Sequence, residues 1–357
     1  MTTAPSVHDA TTRLRRALSV GARPLWPMAA AAVRAGADVN TRLRMTGAPT
    51  FKGSTPLMRA ARHGHEPLAT LLLARGADPN ARDDDGRTAL VWASSTGNLD
   101  IVRALTGQGA DLDASDANGW CPVMAAAEKG HVAVLEWLLD HGAALAVKDQ
   151  EGHTALMYAI RVHQTRTAII LLDRGADPNE AEEGYSLLMQ AAENDDSAIV
   201  AALLEKGAHP DARDRNGYTA LTYAARYGHI ETAASLLDHG ANPNVRDAKR
   251  MTALSHVSLM MSEPDPKMIG LLVERGADCS MAPALPMIFV RTGRASLLPA
   301  LDEALAHPAQ AMARRDVLDR LTPSQRLRWL PRSHAMDTTV RTHAGWQRTH
   351  ARTGGPP

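Results

Sequence analysis

Phenylalanine occurs only twice in the 357 residues, and all aromatics together make up 4%. A core with so few rings must be built from Ala and Leu, which suits closely packed helices better than a β-sandwich. Cysteine is equally scarce. Cys121 and Cys279 are the only two, and their wide separation excludes a disulfide framework and fits a reducing compartment. Formal charge sums to zero, with a pI of about 7.3, so bulk charge supports neither a nucleic-acid nor a membrane-surface role. Long apolar runs are missing too. The stretch from Leu25 to Val33 lies between Arg23 and Arg34 and is too short to span a bilayer. The N-terminus has no basic stretch leading into an apolar one, as a secretion signal would. These absences lead to the expectation of a cytoplasmic protein with no membrane partner.

Motifs that carry chemistry are also lacking. The sequence holds no Cys-x-x-Cys, no His-Glu-x-x-His, no Gly-x-Ser-x-Gly, and no glycine-rich loop running into Lys-Ser/Thr. His63-Gly64-His65 brings two imidazoles together, but His65 recurs in phase as His131 and His229, which marks a framework position. A metal site needs three or four converging ligands. No catalytic, cofactor-binding or metal-binding residue is assigned, no cofactor is expected, and the chain is not read as an enzyme.

What is present is a repeat. Arg75-Gly76-Ala77-Asp78-Pro79-Asn80 returns unchanged at Arg174 to Asn179. Related copies start at Gly36, Gly109, Gly142, Gly207, Gly240 and Gly276. From Gly76 to Gly240 the glycines are spaced by 33, 33, 33, 32 and 33 residues. A second pattern keeps the same phase: Thr55-Pro56-Leu57-Met58, then Ala60-Ala61, then Gly64-His65, with counterparts beginning at Thr88, Cys121, Thr154, Ser186, Thr219 and Thr252. The hydroxyl can cap a helix, and proline suits the first helical position, where no N–H is needed. The leucine fills a core slot and the alanines let helices approach. The glycine stops the helix where φ is positive. Pairs such as Leu71-Leu72, Leu138-Leu139, Leu171-Leu172 and Leu236-Leu237 mark a second helix.

This pattern resembles the ankyrin repeat, a turn plus two helices with a Thr-Pro-Leu-His-x-Ala signature, over about residues 25–300. The resemblance implies an all-α solenoid of helix-turn-helix units with β-turn fingers, about seven clear repeats with degenerate caps. The expected organisation is an N-terminal capping repeat at 1–40, an enlarged finger loop at 41–54, and repeats over 55–283. A C-terminal capping repeat follows at 284–305, then a helical extension at 306–332 and a basic, disordered tail at 333–357. The signature histidine is replaced by Met58, Met124, Met157 and Met189, by Val91, or by Thr222, so an intra-turn hydrogen bond is expected to be lost. Val162-His163-Gln164 and Asn194-Asp195-Asp196 stand where Gly-His would be expected, and the fifth finger is one residue short.

In the resembled family a concave surface of finger tips and first helices binds proteins. The positions facing it are those that vary between copies. One slot lies just before each capping residue: Arg87, Trp120, His153, Tyr185 and Tyr218. Another follows the paired alanines: Arg62, Glu128, Arg161, Arg226 and Tyr227. These ten are the predicted partner-binding residues, since aromatics and arginine dominate binding hot spots. Trp92, Tyr158 and Tyr223 share a slot inside the first helix and are read as partial core. Charge is uneven along the fingers. Asp83-Asp84-Asp85 and Glu180, Glu182 and Glu183 are acidic, whereas Arg213, Arg215, Arg246, Lys249 and Arg250 are basic. From Met287 onward there are eleven Arg, no Lys and five acids, a net +6. Without interleaved aromatics this tail does not point to nucleic acid.

The sequence thus predicts a monomeric interaction scaffold or adaptor holding a partner protein. The alternatives are an exported bacterial effector acting on a host protein, suggested by the Ala/Arg-rich composition, and a targeting subunit of an enzyme complex.

Overall fold

The computed structural model describes residues 6–19, 24–43, 53–260 and 265–278. Two compact units divide the chain, Met1–Arg215 and Asn216–Pro357. The first holds Val7–Ser19 (α1), Trp26–Arg34 (α2), Pro56–Arg62 (α3), Glu66–Ala74 (α4), Ala89–Thr96 (α5) and Leu99–Gly107 (α6). It continues with Pro122–Lys129 (α7), Val132–Asp140 (α8), Ala155–Arg161 (α9) and Thr165–Asp173 (α10), then the strands Ala181–Glu182 (β1) and Tyr185–Ser186 (β2), and Leu187–Glu193 (α11) and Ser197–Glu205 (α12). In the second unit lie Ala220–Tyr227 (α13), Ile230–Asp238 (α14), Ala253–Met260 (α15) and Pro266–Glu274 (α16).

Each helix pairs with its sequence neighbour. In the first unit α3, α5, α7, α9 and α11 pack in one row, and α2, α4, α6, α8, α10 and α12 in another. Within the second unit α13 packs on α15 and α14 on α16. The rows close because their contact residues are small. Ala60, Ala93, Ala126, Ala159 and Ala191 are fully buried in the first unit, and Ala224 in the second. Leu57, Leu90, Leu156, Leu188, Leu221 and Leu254 fill the neighbouring slot, each worth about 1.5–3 kcal/mol of burial.

Local chemistry sets the helix ends. The hydroxyl of Thr55 accepts from the Met58 amide at 3.3 Å, Thr154 from Met157 at 3.3 Å, Ser186 from Met189 at 3.2 Å and Thr219 from Thr222 at 3.3 Å. Cys121 occupies the same place and makes no side-chain cap. Helix α5 ends on Gly97 at φ 75° and α7 on Gly130 at φ 72°. Where glycine is missing, His163 (φ 59°) and Asp195 (φ 58°) adopt the same left-handed conformation.

One expectation needs correction. The hydrogen bond tied to the signature histidine is not lost in every copy. The sulfur of Met58 accepts from the Thr55 amide at 3.4 Å, and the hydroxyls of Thr219 and Thr222 lie 3.2 Å apart. The all-α description holds, with little sheet beside the helices. The short fifth finger forms an antiparallel pair, Ala181 opposite Ser186 and Glu182 opposite Tyr185. Its two turn residues, Glu183 (φ 52°) and Gly184 (φ 90°), are both left-handed. A two-residue hairpin turn of this twist matches that of its strands.

Fingers are clasped to their successors by a recurring asparagine. The Asn80 side chain donates to the Gly109 carbonyl at 2.9 Å and accepts from the Asp111 amide at 2.8 Å. Asn40 and Asn179 do the same in the first unit, and Asn244 in the second. Asp113 keeps only the accepting half, from the Ala144 amide at 2.8 Å. The next position in this series is Ala146, which has no polar side chain.

The 41–54 loop is described only at its ends, where the Leu43 amide donates to the Ser54 carbonyl at 2.8 Å. The expected C-terminal capping repeat, helical extension and basic tail lie outside the described residues, as does Cys279.

Candidate functional site

Four fingers are tight turns, each organised by one aspartate. Oδ1 of Asp83 accepts from the amides of Asp85 (3.1 Å) and Arg87 (2.9 Å). Asp116 takes those of Asn118 (2.8 Å) and Trp120 (3.0 Å), and Asp149 those of Glu151 (3.0 Å) and His153 (2.8 Å). In the second unit Asp247 takes those of Lys249 and Met251, both at 2.8 Å. The carboxylate therefore fixes the backbone of the very residue that precedes the helix cap. This is why Arg87, Trp120 and His153 project from equivalent points.

At Asp149 and Asp247 the second carboxylate oxygen addresses a residue nine positions on, in the first helix. The Tyr158 hydroxyl donates to Oδ2 of Asp149, and Nε2 of His256 lies 2.7 Å from Oδ2 of Asp247. Burial pushes the Tyr158 phenol well above its usual range, and the hydrogen bond to the Asp149 carboxylate pushes it further. Burial would also raise Asp149, but the Tyr158 hydroxyl and the His153 and Glu151 amides outweigh it and hold that carboxyl below its ordinary value. At Asp83 burial prevails and the carboxyl is raised, despite the Arg87 amide and charge. The slot read as partial core is thus half polar. The offset of nine residues stands in the sequence, but the contact depends on side-chain direction, so neither the partnership nor His256 could be read from it.

In the first unit, Arg62 and Arg87 are half-buried, with guanidinium carbons 4.4 and 4.7 Å from the Trp92 ring centroid. Burial lowers the Arg62 pKa, and the nearby Arg87 charge adds to it. Arg87 is also ion-paired with Asp83 at 3.4 Å and with Asp85. Trp120 is half-buried and meets Tyr158 of the next repeat edge-on, with centroids 4.5 Å apart. Glu128, half-buried, pairs with Lys129 at 2.9 Å. Arg161 is exposed, 5.3 Å above the Tyr158 ring and 3.4 Å from Glu182. Tyr185 is half-buried and donates its hydroxyl to Glu193.

His153 is only 4% exposed. Its Nε2 lies 3.2 Å from Glu182 and 3.0 Å from Arg161, and its Nδ1 is 3.3 Å from Glu151. The ring stands edge-on to Tyr158, and its own surface is slight. The structure joins Trp120, His153 and Arg161 through Tyr158, and Arg62 with Arg87 through Trp92.

In the second unit, Tyr218 is half-buried, edge-on to Tyr223 at 5.8 Å and to His256 at 5.1 Å, with the Arg226 guanidinium 4.9 Å above it. Tyr227 is 51% exposed and stacks on His229 at 5.8 Å. His65, the framework histidine of the first full copy, accepts from the Leu68 amide at 3.1 Å and stacks under Trp26 at 4.4 Å. Its counterpart His131 instead reaches the Ser95 carbonyl at 3.1 Å. No helix among the described residues is long and apolar enough to cross a membrane.

Comparison with known proteins places this arrangement. The family model described as ankyrin repeats (3 copies) matches residues 28–116, 93–182 and 183–282. Among solved structures, the human ASB11 ankyrin repeat domain is 25% identical with a TM-score of 0.55, the match covering 63% of this chain and 99% of that one. The ankyrin repeat domain of Bcl-3, a unique member of the IkappaB protein family, is 28% identical with a TM-score of 0.53, covering 62% and 99%. No curated protein matches the sequence. Repeats of this kind generally mediate protein–protein interaction, and the fold is typically a non-enzymatic interaction module.

Proposed function

The chain belongs to the ankyrin-repeat family, and on that premise we propose that it is a scaffold or adaptor that holds a partner protein through its fingers and first helices. The observation that carries this reading is the variation at the position before each helix cap, where the surrounding framework recurs. The capping hydroxyls, buried alanines and finger aspartates recur, while the residues they position run Arg87, Trp120, His153, Tyr185 and Tyr218. Trp120, Tyr185 and Tyr218 are half-buried rings held by neighbours. Such pre-set aromatics lose little entropy on binding. Arg161 shares the Tyr158 ring with Trp120 in the first unit, and Arg226 lies over Tyr218 in the second. Arg62, Glu128 and Tyr227 belong to the same proposed set, and His153 acts by positioning Arg161. A cytoplasmic, monomeric protein is part of the same proposal.

The test is capture of partners by the tagged chain with mild cross-linking and mass spectrometry, beside a variant carrying Trp120→Ala, Tyr185→Ala and Tyr218→Ala. A protein recovered by the parent and lost by a variant with an unchanged melt supports the reading. Equal recovery by both would remove these rings from the site.

A further inference from the structure

The last described finger, in the second unit, differs from the others at its tip. Glycine takes the left-handed position in the fingers at Gly86, Gly119, Gly152, Gly184 and Gly217, with φ between 80° and 90°. The seventh finger has Arg250 there, at φ 63°. Three other non-glycine residues in the described chain have positive φ: His163, Asp195 and Glu183. His and Asp enter this region more readily than most types, and Glu183 is ion-paired with Arg215 at 2.8 Å. Arginine has no such tolerance, and Arg250 forms no ion pair among the described residues. Strain held at an exposed tip, where glycine would relieve it, points to a use for the side chain.

The tip is also built to present charge in one direction. Arg246, Lys249 and Arg250 are exposed. The only acid of the turn, Asp247, is buried and faces inward, accepting from the Lys249 and Met251 amides and meeting His256. The Ala248 amide is tied to the Asn216 carbonyl at 2.9 Å, and the Arg250 amide to the Asp247 carbonyl at 2.9 Å. Lys249, like Arg250, has no ion pair among the described residues, whereas Asp85 of the second finger is matched by Arg87. The backbone is therefore fixed, and Lys249 and Arg250 are exposed with no ion pair among the described residues.

We propose that the fingertip from Arg246 to Arg250 is a docking point for an acidic segment of a partner protein, a run of Asp and Glu side chains that pairs with Lys249 and Arg250. This rests on the reading of the chain as a protein-binding module and names the chemistry of one contact. Carboxylates fit the guanidinium as a two-pronged acceptor, and the rigid tip spares the ordering cost that a flexible loop would incur.

The experiment uses the full chain and a fluorescein-labelled oligoglutamate peptide, followed by anisotropy. Binding that weakens as salt rises is expected. Lys249→Ala with Arg250→Gly should weaken it about tenfold, while the melting temperature stays level or rises because the strain is relieved. Arg250→Asn, which also tolerates the left-handed position, should weaken binding in the same direction. Lys206→Ala, in the first unit, should leave binding unchanged. No binding by the parent chain, or equal binding by the double variant, overturns the proposal. So does tighter binding of a single-stranded oligonucleotide through the same two residues. The capture experiment alters other residues, so a failure there and a failure here are separately readable.

Discussion

Nε2 of His256 stands 2.7 Å from Oδ2 of Asp247, with both side chains buried. Burial alone would raise the Asp247 carboxyl. The Met251 amide, the His256 ring and the Lys249 amide outweigh it, so the group titrates below its ordinary value. A carboxyl lowered in this way contributes stability that is fully present above its unfolded pKa, about 3.9. That contribution is lost as pH falls through the lower folded value. Asp247→Ala should cost about 1–3 kcal/mol near neutral pH. In urea titrations the gap between parent and variant should narrow as pH drops below about 4. A gap unchanged on acidification would show that the charge is not engaged.

Ala146 interrupts the asparagine clasps. Asn40, Asn80 and Asn179 each tie one repeat of the first unit to the next by two hydrogen bonds. In a solenoid, stability is close to a sum of repeat and nearest-neighbour terms. Ala146→Asn should therefore add about 0.5–1.5 kcal/mol, and Asn80→Ala should remove a similar amount. Urea midpoints would report both, and opposite signs are the expected result.

Cys121 sits at a helix start where Thr55, Thr88 and Thr154 each accept an amide hydrogen bond, and it makes none. Cys121→Thr should stabilise the chain by about 0.5–1 kcal/mol, read as a higher urea midpoint. Burial also pushes the thiol up, which keeps the reactive thiolate scarce. In a Cys279→Ser background, the native protein should react with a disulfide reagent far more slowly than the urea-unfolded chain. Equal rates would place Cys121 at the surface.

The repeat was legible because its chemistry is periodic. Thr55, Leu57, Ala60 and Gly64 each do a job that recurs about every 33 residues, and the structure puts each in the place that job requires. The hairpin at Ala181–Ser186 was not legible, since one deleted residue reads as a shortened loop until its two left-handed turn residues are seen. The candidate surface was readable as a set of positions but not as a set of contacts. Sequence variation singles out His153, whereas the structure buries it, 3.2 Å from Glu182 of the following finger. The pairing of Asp149 with Tyr158, and of Asp247 with His256, depends on side-chain direction across a turn. That direction is set by packing rather than by local pattern.

The most direct test of the interaction account is site-specific photo-cross-linking. Tyr185→benzoylphenylalanine puts a reactive ring on the proposed surface, and Arg166→benzoylphenylalanine puts one at an exposed site on the second helix α10 of the preceding repeat. The account predicts a cross-linked partner from position 185 and little or none from position 166. A partner trapped from 166 and absent from 185 would contradict it.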